Sequence, residues 1–201
     1  MAMVNIHQIR SVSFDTSFLL KNDTFVDRVV DVLVRDHIPC FITATVASEL
    51  EQLKVWGRIT ESSYKMAMKR WIHAHATVID FKNRLLADAF GRACTRSMEE
   101  FHGVRSPDII NDCSIIVSVL KNGVDLFLSE DFHFTSAITK EVIKDVQNAA
   151  CTEYHQMCDS KMYSIDTKTF LEAYHKLTID LDIVDARIQS IRKKEKRLGY
   201  Q

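Results

Sequence analysis

The chain has 201 residues, 46% hydrophobic and 26% charged, a balance that suits one globular domain with a sizeable core and excludes a disordered polyelectrolyte. A formal net charge of −1 excludes a protein that holds nucleic acid by bulk positive charge alone. Neither a signal-peptide pattern nor an apolar run of about 20 residues is found, so a cytoplasmic protein outside the membrane is expected.

Short β-rich runs alternate with longer helical patterns along the chain. Residues 11–14 (SVSF) read as a strand, and 24–37 place Val26, Val29, Val30, Leu33 and Val34 at helical spacing behind Asp23 as N-cap. Residues 39–43 are a second strand; 45–56 repeat Val46, Leu50 and Leu53 on one helical face, with Gly57 at the helix end. A helix pair is expected around 60–75, where Met66, Met68 and Trp71 read as core and packing surface. Then come a strand at 76–81, a helix at 83–101, and a helix at 106–123 that opens on Ser-Pro and closes on Gly. The fourth strand (VDLFLS), a long helix over about 135–157, and a last strand and helix (KMYSID, TKTFLEAYHKL) follow. Strands alternating with helices predict an α/β fold with a central, mostly parallel five-stranded sheet flanked by helices.

Five cysteines, Cys40, Cys94, Cys113, Cys151 and Cys158, include no CxxC pair and are read as reduced, mostly buried thiols. Between Lys54 and Arg105 the basic residues outnumber the acids. Lys54, Arg58, Lys65 and Lys69 are the first candidates there for contact with nucleic acid, against the alternative of a solvated helix face.

Four acids stand where burial should penalise them. Asp15 follows the first strand directly, and Asp131 follows the fourth by one residue, both on the edge where an open parallel sheet gathers its ligand site. Asp112 shares a mostly apolar helix surface with Ile109, Cys113, Ile115, Ile116 and Val119, and no Lys or Arg lies one turn away. Glu49 sits beside the Val46, Leu50, Leu53 stripe, near the start of its helix. All four are expected at strand ends or first helical turns. Close carboxylates repel unless a divalent cation sits among them, and hard oxygen ligands suit Mg²⁺ or Mn²⁺. With no phosphate loop, nucleophile elbow or zinc motif present, such a cage fits metal-dependent phosphodiester hydrolysis.

The segments VSFDTSFLL, ITATVASELEQL, SPDIINDCSIIVSVLKNGVDLFLSEDFHF and KMYSIDTKTFLEAYHKL resemble the PIN-domain ribonucleases, VapC-type toxins among them, over most of residues 10–177. The resemblance implies a PIN-like three-layer fold and an Mg²⁺- or Mn²⁺-dependent endoribonuclease. It matches Asp15, Glu49, Asp112 and Asp131 to the metal-holding acids, Thr16 and Ser17 to the small hydroxyl residues that follow the first acid, and Ser129 to the hydroxyl position that helps order the site. It also raises an antitoxin or other protein as a partner beside RNA. Two residues after the fourth acid many members carry a further acid, and here His133 stands instead. Asp108, one turn before Asp112, is read as an auxiliary acid favoured by the helix dipole in preference to a further ligand. The remaining 178–201 are expected to form a helical basic tail, with Leu181, Val184, Ile188 and Ile191 ahead of Arg192, Lys193, Lys194, Lys196 and Arg197. Docking on its own domain, dimerisation and RNA contact stay open for that tail.

Overall fold

The computed structural model describes residues 3–103, 106–176 and 178–180. In chain order the elements are β1 (Met3–Asn5), a 3-10 turn (Ile6–Gln8), β2 (Val12–Phe14), α1 (Thr16–Leu20), α2 (Thr24–Arg35), β3 (Cys40–Thr43), α3 (Ala44–Val55), α4 (Glu61–His73) and β4 (Thr77–Ile79). There follow α5 (Arg84–His102), α6 (Ser106–Lys121), β5 (Leu126–Leu128), α7 (Phe132–Thr135), α8 (Ala137–Tyr154), β6 (Tyr163–Ile165), α9 (Thr167–Lys176) and β7 (Thr178–Asp180).

Five strands make one sheet in the order β4-β3-β2-β5-β6, every pairing parallel. The α/β class and the five-stranded flanked sheet expected from the pattern are therefore present, consistent with a PIN-like three-layer fold. Chain order runs outward from β2 through β3 to β4, then crosses to β5 on the other side. The reversal lies between β2 and β5, and the carboxyl ends of those two strands are where an open parallel sheet gathers a ligand crevice.

Local chemistry explains the elements. The side chain of Asp23 accepts from Phe25 N at 2.9 Å and starts α2, whose Val26, Val29, Val30 and Leu33 are buried. Thr43 accepts from Val46 N at 3.2 Å and starts α3 directly off β3. Gly103 ends α5 with φ of 66°, a left-handed conformation that glycine takes without a Cβ penalty. In the row Phe41, Ser13, Phe127, Ser164 across β3, β2, β5 and β6, small and large side chains alternate on one face of the sheet. The Ser13 and Ser164 hydroxyls are buried with no hydrogen-bond partner, at a cost of about 1 kcal/mol each. They leave room for Phe127, which meets Phe134 of α7 edge-on at 5.1 Å and so fixes the helix that follows Asp131.

Several expectations need correction. A single helix, α4, replaces the helix pair near 60–75; the long helix expected over about 135–157 is present as α8, preceded by the short α7, with Ser136 closing one and capping the other. Residues 178–180 form a strand antiparallel to β1, because Met3, Val4 and Asn5 supply an open edge from the distant start of the chain. The rest of the expected helical tail, 181–201, lies outside the described residues. The cysteines are not five reduced thiols. Cys94 of α5 is disulfide-bonded to Cys113 of α6, with Cα atoms 5.5 Å apart, and Cys151 to Cys158, with Cα atoms 4.8 Å apart. Cys40 alone is free, and it is buried. The pairs join residues 19 and 7 apart in sequence, spacings that carry no motif.

Candidate active site

Asp15 leaves β2 at the reversal point, is 3% exposed, and caps α1. Its Oδ2 accepts from the Ser17 hydroxyl, from Ser17 N at 3.3 Å and from the Ser129 hydroxyl at 2.8 Å. Each serine is itself held: Ser17 Oγ accepts from Glu130 N at 2.9 Å, and Ser129 Oγ from Asp131 N at 3.0 Å. The ends of β2 and β5 are thus sewn together by side chains as well as by the Asp15 N to Leu128 O bond of 3.0 Å. The buried Arg70 of α4 secures the far end of α1 by donating to the carbonyls of Leu19, Lys21 and Asp23, with Asp27 as its carboxylate partner.

Thr16 Oγ1 donates to Glu49 Oε2 and brings the α3 acid toward the same crevice. Glu49 and Asp112 both stand on second helical turns, not first ones, since α3 begins at Ala44 and α6 at Ser106. A side chain one turn into a helix reaches back over the preceding turn, so each still meets the strand ends. Thr45 on the first turn of α3 and Ser114 of α6 share a hydrogen bond of 2.9 Å, which ties together the two helices that carry Glu49 and Asp112. That pair was not anticipated; its only sequence signal is hydroxyls close to each acid.

Asp131 caps α7 by accepting from His133 N at 2.8 Å, and its side chain is 44% exposed. The His133 ring bridges the outer acids, its Nδ1 lying 3.7 Å from both Asp112 Oδ2 and Asp131 Oδ1. Glu130, between Ser129 and Asp131, turns the other way, pairing with Lys21 and accepting from Thr167 N at 2.9 Å at the start of α9.

Electrostatics register the convergence of all four acids. Burial pushes the Asp112 carboxyl up to about 7, with the charges of Asp131, Asp15 and Glu49 adding to the rise. Burial likewise pushes Asp15 up to about 6, against the lowering effect of hydrogen bonds from Ser17 and Ser129, with Glu49 raising it further. In charge and donor type the set fits a hard divalent cation. In spacing it is more open than a finished coordination sphere: among the described residues, no group of three or more His, Cys, Asp or Glu side chains is arranged to hold an ion. The side chain of Asp108 lies outside the described residues.

The expected nucleic-acid contacts are differently placed. Lys54 and Lys65 pair with Glu61 at 3.8 and 3.7 Å, Arg58 stacks on Trp56, and Lys69 lines a separate cleft between α2 and α4. None of the four is joined to the acids. No family model, curated protein or solved structure matches this chain. The fold and the crevice must carry any functional reading. Among the described residues no helix is long and apolar enough to cross a membrane.

Proposed function

We propose that this chain is a metal-dependent endoribonuclease of the PIN-domain type, hydrolysing RNA phosphodiester bonds in the crevice formed by Asp15, Glu49, Asp112 and Asp131. The observation that carries the reading is the pairing of two raised carboxyls at the switch point, Asp15 and Asp112, with no Lys or Arg among the described residues paired to either. Such an arrangement is costly for stability alone, and a bound divalent cation resolves it. When bound, Mg²⁺ or Mn²⁺ supplies the charge that activates a water and stabilises the leaving oxygen. The chain's part is to hold Asp15 in one rotamer through Ser17 and Ser129, to aim Glu49 through Thr16, and to present Asp112 from a helix fixed by the Thr45–Ser114 bond.

Cleavage of single-stranded RNA in Mg²⁺ or Mn²⁺ tests this. Asp15→Asn and Asp112→Asn should each reduce it by more than about 100-fold, beyond the 10–100-fold typical of outer-shell changes. Retained cleavage in both variants would refute the acid cage. A second reading, a catalytically weak PIN-like module that binds RNA or acts as a scaffold, is favoured by one observation, the His133 ring between Asp112 and Asp131. It requires that the intact chain bind RNA and show no metal-dependent cleavage.

A further inference from the structure

We infer that the groove between α5 and α6 is the track along which a single RNA strand runs to the acid crevice, with Arg84 and Arg92 contacting its phosphates; this rests on the nuclease reading for what happens at the end of the track.

The groove has a volume of about 470 Å³. Its walls come from one stripe of each helix, including Arg84, Gly91 and Arg92 of α5 and Ile110, Ser114 and Ser118 of α6. Ser114 connects it to the acid site: its hydroxyl bonds Thr45, which lies one turn before Glu49 on the same face of α3. A strand leaving Glu49 by this wall would enter the groove.

Gly91 supplies a second observation. It stands inside a 19-residue helix, where glycine costs about 1 kcal/mol relative to alanine, and a Cβ built on it meets nothing within 4 Å. No neighbouring element requires the missing side chain. The space above it is open to a ligand from outside. On either side, Arg84 and Arg92 are exposed, and among the described residues neither side chain has an ion pair or hydrogen bond. Eight residues at 1.5 Å per residue set them about 12 Å apart along α5, a spacing that reaches separate phosphates of an extended strand. Asp88 lies between them and Asp80 at the groove's end, so binding would come from two fork-shaped contacts and not from bulk charge. This contrasts with Lys54 and Lys65, whose ammonium groups are already engaged by Glu61.

The test uses the full chain carrying Asp112→Asn, which removes cutting, and a fluorescent 12-nucleotide oligouridine titrated at 50–200 mM salt. Adding Gly91→Leu should weaken binding at least tenfold while leaving the melting temperature unchanged or higher, since leucine is the better helix former and the site is open. Adding Arg84→Gln with Arg92→Gln should lower the log–log salt slope by about 1.4, near 0.7 for each lost phosphate contact. Binding within twofold in Gly91→Leu with an unchanged slope in the glutamine pair would overturn the track, as would a parent that binds no oligouridine at 50 mM salt. Cleavage by otherwise wild-type Gly91→Leu at the full rate sinks the groove and leaves the nuclease reading standing. Groove-dependent binding without cleavage by the wild type sinks the nuclease reading alone.

Discussion

The two halves of the acid crevice are built on opposite plans. On the strand side, Asp15 is almost wholly buried and its orientation is set by two serine hydroxyls, each locked by a backbone N–H. On the helix side, Asp112 and Asp131 face a half-open rim with the His133 imidazole 3.7 Å from each. Hydroxyls donate to a carboxylate without cancelling its charge, so the first half is fixed in shape and still negative. The second half is partly exposed, and side chains at the surface keep more rotamer freedom, so it is adjustable where the first is rigid. One site thus combines a pre-set acid with an adjustable pair.

The sharpest way to break this contrast is to titrate it. A carboxyl raised above its unfolded value binds more protons in the folded chain. The stability it contributes is therefore present at low pH and lost as pH rises, here through about 6 for Asp15 and about 7 for Asp112. In chelator, Asp112→Asn should lose less stability than the wild type between pH 5 and 8, by roughly 2–4 kcal/mol. Mg²⁺ or Mn²⁺ should close the gap by stabilising the wild type alone. Denaturant melts at a series of pH values measure this, and parallel pH curves for the two proteins would show that the Asp112 carboxyl is not raised in the folded chain.

Removing the clasp is the next largest change. Ser17→Ala combined with Ser129→Ala leaves Asp15 in place but frees its rotamer, and RNA cleavage should drop about 10–100-fold with little change in KM. An equal loss in KM alone would assign the serines to substrate contact. The smallest effect is expected at the adjustable half. His133→Asp adds a carboxylate where the ring now bridges, and should raise cleavage several-fold at saturating Mn²⁺ and lower the Mn²⁺ concentration needed for half activity. A decrease at every Mn²⁺ concentration would mean that the imidazole itself serves the reaction.

Much of the core was legible along the chain. Val26, Val29, Val30 and Leu33 are buried where a period of 3.6 puts them, and Asp23 caps the helix they sit on. The strand-end positions of Asp15 and Asp131 could be read because an apolar run that stops on an acid marks the point where a buried strand leaves the sheet. Lys54 and Arg84 could not be told apart in the same way. Both belong to one basic segment, and only the folded chain reveals that Glu61 lies within 3.8 Å of the lysine while the Arg84 guanidinium is unengaged among the described residues. The Cys94–Cys113 and Cys151–Cys158 bonds were missed for a related reason: which sulfurs meet is decided by how helices and turns pack.

The sequence by itself determined the alternation of strands and helices, the apolar faces and the identity of the four acids, because each is written in nearest-neighbour and one-turn spacings that physics reads locally. The tertiary structure alone decided that β2 and β5 lie side by side, that Ser17 and Ser129 converge on a single oxygen of Asp15, and that His133 stands between Asp112 and Asp131. Those are contacts between residues up to 114 positions apart. Their energy appears only after the chain has folded back on itself, and no local pattern encodes it.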